Sequence, residues 1–144
     1  MNLKKKFITL LQNKNSLQEE RIQALFQLMN IGDKESLEAI IKTLENDPCE
    51  IVRHEAAFVL GETAAYEHRE NLRKAIISDP SGIVKHEAIL ALGTIANEED
   101  IPFLEEQKQS KVKLISESAK IALQRIKNIE KPYRGPEQFS HLKT

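Results

Sequence analysis

The chain has no tryptophan, a single cysteine and only 5% aromatic residues, and each scarcity narrows what it can be. Cys49 has no second thiol with which to close a disulfide inside the chain, which points to a reducing compartment. An excess of either charge is lacking too. The 21 Lys and Arg nearly balance the 22 Asp and Glu, and a net charge of −1 makes no electrostatic case for nucleic acid or an anionic membrane as partner. No apolar run approaches the ~18 residues of a membrane-spanning helix. Near the start, Lys4-Lys5-Lys6 precedes only Phe7, Ile8, Leu10 and Leu11, broken by Thr9, which is too short and too polar for a signal-peptide core. The expectation is a cytoplasmic protein, with the three lysines a solvated helix end. Also missing are a Ser-His-Asp spacing, a P-loop and a Cys-x-x-Cys pair.

What is present is 40% apolar and 30% charged residues over 144 positions, which fits one amphipathic, all-α domain with a core of Leu, Ile and Ala. Two stretches repeat each other at an offset of 32, IVRHEAAFVLGE from Ile51 and IVKHEAILALGT from Ile83. The same offset places Asp47-Pro48 on Asp79-Pro80, Arg53 on Lys85, Ala56 on Ala88, Leu60 on Leu92 and Gly61 on Gly93. A period of this length is the mark of stacked helical hairpins. Gly61 and Gly93 read as points of close helix packing or a helix end, because no strand precedes them.

Taken in order, the chain predicts eight helices in four hairpins, an α-solenoid over 1–130 followed by an extended tail over 131–144. The first helix spans Asn2 to Gln12. Ser16-Leu17-Gln18-Glu19 has the form of a capping box opening a second helix to about Met29. Gly32 closes it, and Asp33 caps a third with Leu37, Ile40, Ile41 and Leu44 as its stripe. The helices from Glu50 to Thr63 and from Ile83 to Ile95 carry His54-Glu55 and His86-Glu87; between them lies one from Tyr66 to Ser78. Asn97 to Asp100 caps a short helix with Pro102 in its first turn. The last runs from Val112 to about Ile129, and Lys131-Pro132 cannot continue it.

Packing explains the small and apolar positions of the repeat but not a histidine and a carboxylate recurring at one register. The first copy has Ile22-Gln23 at the His-Glu positions and the last has Glu117-Ser118, so the pairs belong to the two middle repeats alone. Equivalent helices of successive repeats lie side by side at about 10 Å, so His54 and His86 are predicted to face the same way at one level. Imidazole with carboxylate suits Zn, Fe or Mn, and two His with one carboxylate suits non-haem Fe(II). Adjacent residues on a helix point about 100° apart. A His and its neighbouring Glu therefore serve different ends, one carboxylate on metal and the other toward substrate. His68 and His141 have no comparable partner and read as surface residues, and Cys49 is given no role.

These residues resemble the deoxyhypusine hydroxylases, whose HEAT-like repeats carry R/K-H-E-A-x-x-x-L-G twice in each of two similar four-repeat halves. The likeness covers residues 17–129, one half, and includes Arg21-Ile22-Gln23-Ala24-Leu25-Phe26-Gln27-Leu28 and the closing segment from Ile101 to Ile126. The resemblance implies a non-haem di-iron centre that activates O2 and hydroxylates a modified lysine side chain on a translation factor. It places His54, His86 and Glu87 on iron-ligand positions, and Glu55 on that of the carboxylate close to metal and substrate. One half supplies two of the family's four motifs, so a symmetric homodimer is predicted, with two iron ions at its two-fold axis. A protein, a peptide or another amine is left open as substrate. Two other functions fit the same residues: a HEAT-repeat module that binds a partner without catalysis, and a zinc hydrolase on the same ligands.

Overall fold

A computed structural model describes residues 2–63 and 66–130, with side chains as far as 128. The expected tail, with Tyr133, Arg134, Phe139 and His141, lies outside the described residues. Those described form eight α-helices: α1 Leu3–Gln12, α2 Gln18–Ile31, α3 Lys34–Asn46, α4 Glu50–Glu62, α5 Arg69–Ser78, α6 Gly82–Ile95, α7 Ile101–Lys108 and α8 Lys113–Glu130. Single 3-10 turns, Tyr66–His68 and Glu98–Asp100, lead into α5 and α7. The helices pair as four antiparallel hairpins, the all-α solenoid expected from the repeat. The even-numbered helices meet one another more extensively than the odd-numbered ones do, which makes them the inner layer of the stack.

Local chemistry sets most of the boundaries. Gly32 ends α2 in the left-handed conformation, at φ 66°, and Asp33 opens α3 by accepting the Ser36 N–H at 2.9 Å. The start of α2 differs from the expected capping box. Leu17 is the capping residue, its N–H donating to Glu20 at 2.9 Å, while the Ser16 hydroxyl turns back to the carbonyls of Asn13 and Leu10. Those carbonyls already accept the N–H groups of Ser16 and Asn13 respectively, and the hydroxyl adds a second donor to each where α1 ends. Lys5 and Lys6 are solvated as expected, but Lys4 bridges to Asp33 and Glu35 at 2.8 Å each and ties α1 to the head of α3.

Leu25, Leu28, Ile40, Leu44, Val52, Leu60, Leu72, Ile89, Leu92 and Ile126 form one continuous core that passes from hairpin to hairpin. Two devices set the spacing. At Gly61 an added Cβ would lie 2.8 Å from Cβ and 2.9 Å from Cα of Ala91; at Gly93 it would lie 2.8 Å from Cα of Ala122. Inner helices α4, α6 and α8 therefore touch backbone to backbone. The second device is a pair of inter-repeat forks. Arg21 holds the buried Asp47 through Nε and Nη2 at 2.9 and 3.2 Å, and Arg53 holds Asp79 at the same two distances. Their remaining Nη1 groups donate to the carbonyls of Ser16 and Asp47. Hydrogen bonding to Asp79 raises the Arg53 pKa further. The next step of this ladder has Lys85 in place of arginine, and Ser110 where the aspartate would be: its hydroxyl accepts the Val112 N–H as Asp47 and Asp79 accept those of Cys49 and Ser81. Beyond it, α8 turns Lys120, Gln124 and Lys127 to solvent.

Candidate metal centre on the inner face

His54 and His86 each occupy the fifth position of their helix, α4 and α6, one turn in from the N-terminus. Burial of Val52, Ala56, Val59 and Leu60 on one side of α4, and of Val84, Ala88 and Leu92 on α6, leaves both motif pairs half-buried on the opposite, inner side. The common level predicted from the repeat is what the stack delivers.

The contacts run between repeats more than within them. His54 Nε2 lies 3.0 Å from Glu87 Oε2, the carboxylate of the following repeat, and its Nδ1 lies 3.5 Å from its own neighbour Glu55. Three of the four expected side chains, His54, Glu55 and Glu87, thus gather around one imidazole. The fourth does not join them: His86 Nδ1 meets the hydroxyl of Ser118, 2.5 Å away and again one repeat further on. Ser118 holds the position that a glutamate fills in the repeat before it. Reasoning from residue types passed it over, although the offset of 31 between α6 and α8 marks its place.

The donor set fits a transition metal in part. His54 Nε2 and Glu87 Oε2 are an imidazole nitrogen and a carboxylate oxygen, the donor types that suit Zn, Fe or Mn, held together at hydrogen-bonding distance. Within one chain, however, the described residues contain no group of three or more His, Cys, Asp or Glu side chains gathered closely enough to hold an ion. What one chain presents is part of a site.

Apolar rows flank the polar one. Ile51, Ile83 and Leu114 stand exposed one turn toward the N-termini, and Phe58, Leu90 and Ile121 stand one turn the other way. Phe58 packs at a tilt against Phe26 of α2. Beside Glu87 a cavity of about 250 Å³ opens between α4, α6 and α8, lined by Phe58, Glu62, Leu90, Thr94 and Arg125. The other titratable groups lie apart: His68 is half-buried beside α5, and Cys49 is half-buried at the head of α4 with its N–H on Asp47. No helix among the described residues is long and apolar enough to cross a membrane.

Residues 37–124 match the HEAT repeats family, and residues 20–46 match the PBS lyase HEAT-like repeat. The chain belongs to the HEAT-repeat family. Within this family the HEAT-repeat chain is similar to deoxyhypusine hydroxylases. It is 37% identical to that of Drosophila melanogaster over 118 residues, covering 81% of this chain and 39% of the fly protein. It is 38% identical to that of Dictyostelium discoideum over 122 residues, covering 84% of this chain and 38% of the other. Its fold matches the structure of human deoxyhypusine hydroxylase in complex with glycerol, with a TM-score of 0.83 at 24% identity, over 92% of this chain and 48% of the human one. The chain thus spans less than half the length of these relatives, as expected for a likeness to one half.

Proposed function

We propose that this HEAT-repeat chain forms a non-haem iron, O2-dependent hydroxylase of the deoxyhypusine hydroxylase type, its metal site completed between two copies. The observation that carries the reading is the His54 to Glu87 contact, 3.0 Å, which brings an imidazole and a carboxylate from successive repeats side by side on the inner face. Its support is the similarity to deoxyhypusine hydroxylases over more than four fifths of the chain. One chain offers two imidazoles and two carboxylates, and an isologous pairing of inner faces would double that set.

In this arrangement His54, His86 and Glu87 would hold iron, two ions per dimer, and Glu55 would lie close to metal and substrate. The iron, when bound, supplies the activation of O2 and the oxidation of a C–H bond. The chain supplies the setting. The Ile51, Ile83, Leu114 row and the Phe58, Leu90, Ile121 row would close over the polar row when covered and shed water from it, which strengthens every charge interaction inside. The cavity beside Glu87 gives an extended side chain an apolar floor at Phe58 and Leu90, with Glu62 and Arg125 at its polar edge.

Metal content measured together with mass in solution tests the proposal. About one iron per chain in a dimer is the expected result, with iron lost in His54→Ala and Glu87→Gln. A monomer that takes up neither Fe(II) nor Zn(II) overturns it. In that case the incomplete ligand group of the single chain favours the second reading, a HEAT-repeat module that binds a protein partner on the same inner face. Zinc held in place of iron would leave the hydrolase.

A further inference from the structure

The two motif histidines have different partners, and Ser118 is one of them. Its Oγ lies 2.6 Å from the carbonyl oxygen of Leu114, four residues back on α8, and 2.5 Å from His86 Nδ1. A carbonyl can only accept, so the serine's one proton goes to Leu114. Oγ is then left as an acceptor toward the imidazole, and the bond exists only if Nδ1 carries the hydrogen. In a neutral ring this puts the lone pair on Nε2. Among the described residues no hydrogen bond or ion pair engages His86 Nε2. His54 differs at both nitrogens, since Nε2 faces Glu87 and Nδ1 faces Glu55.

We infer that Ser118 is a positioning residue. It locks His86 in the Nδ1–H tautomer and keeps Nε2 open as a ligand atom before any metal arrives. Ser118 suits the task because it is almost fully buried, 1% exposed, on a helix that is itself fixed against α6 by the Gly93 to Ala122 contact. A carboxylate at this point, as at the equivalent position in α6, would accept from an imidazole just as well. It would also bring a second charge and a rotatable arm into a buried place. The hydroxyl sets the ring's orientation and adds no charge, the service that a hydrogen-bonding neighbour performs for many metal-binding histidines. The tautomer does not depend on the proposed function, whereas its use as a ligand rests on that reading.

The test is imidazole 15N NMR on the metal-free chain, at a pH where histidines are neutral, followed by Zn(II) titration. Wild type is expected to show His86 with Nδ1 protonated and Nε2 bare, against the ordinary preference of a free histidine for Nε2–H. Ser118→Ala is expected to return His86 to that ordinary preference and to weaken Zn(II) binding about 10- to 100-fold. Ser118→Thr, which keeps the hydroxyl and its bond back along the helix, should retain both properties. Circular dichroism and unfolding midpoints confirm that each variant is folded. A protonated Nε2 on His86 in wild type overturns the inference, as does an Ala variant with an unchanged tautomer. If the tautomer contrast holds and wild type binds no Zn(II) or Fe(II), Ser118 still positions His86, and it is the metal reading that fails.

Discussion

Where α4 meets α6, Gly61 lies against Ala91, Arg53 grips Asp79 and His54 reaches Glu87; where α6 meets α8, Gly93 lies against Ala122, Lys85 meets no aspartate and His86 meets a serine. The apolar half of the junction is copied and the polar half is not. Each junction must bury its own surface, because a hairpin cannot cover its apolar face alone, so packing is renewed at every step. A buried ion pair is under no such demand. Breaking one is costly, yet a well-packed apolar pair can replace it with little loss. Polar groups that persist at a junction therefore need a reason beyond stability, and the reason differs between the two. The Arg53 fork orients one hairpin on the next, while His54 and Glu87 face outward to the open inner side.

The sharpest way to break this comparison is to remove the cationic side chain at each junction in turn. Arg53→Ala leaves Asp79 nearly buried without its partner and is expected to cost about 3 kcal/mol. Lys85→Ala at the equivalent place should change stability by less than about 0.5 kcal/mol. Urea unfolding of the two variants measures both, and equal losses would mean that the junctions are alike after all. Next in size are the shared contacts. Gly61→Ala and Gly93→Ala each push a methyl to within 2.8 Å of the facing helix, so each should lose about 1–3 kcal/mol despite the better helix propensity of alanine. Similar losses at the two sites would sharpen the claim that packing is what repeats. Unequal losses would show that α8 yields where α6 does not.

The smallest effect is a control far from both junctions. Lys4, with help from the Ser36 N–H, holds the Asp33 carboxyl below the usual carboxylate range. An Asp with a depressed folded pKa contributes stability that is complete above its unfolded value, near pH 4, and that fades as pH falls through the lower folded value. Asp33→Asn should flatten only that acid limb of the stability profile, followed by circular dichroism from neutral pH downward. The His54 and His86 imidazole signals at neutral pH should not move.

Much of this was legible in the residues. The 32-residue offset yields the helices, the hairpins and the common level of His54 and His86, and the glycines of the repeat announce close packing. Partner choice was not legible. His54 has Glu55 beside it in sequence, but neighbours on a helix diverge, and it is the stacking register that brings Glu87 closer. The Arg–Asp forks recur at a separation of 26 residues, which repeat alignment reveals only when arginine and aspartate are compared across hairpins. Read within a hairpin, Asp47-Pro48 and Asp79-Pro80 look like turns and nothing more. Ser16 misled for a related reason: S-x-x-E states what a serine can cap, while the Leu10 and Asn13 carbonyls at the end of α1 compete for its hydroxyl and take it.

The glycines carry one more consequence. At Gly61 and Gly93 main chain rests on main chain, and neither surface has a rotamer with which to give way. Helix-to-helix pitch along the inner layer is therefore gauged by the thickness of the polypeptide itself, like the teeth of a comb cut to one width. Whatever the inner face displays inherits that pitch. The outward side chains can be exchanged one at a time, and their spacing survives the exchange, so new chemistry can be tried on this face without re-measuring the scaffold beneath it.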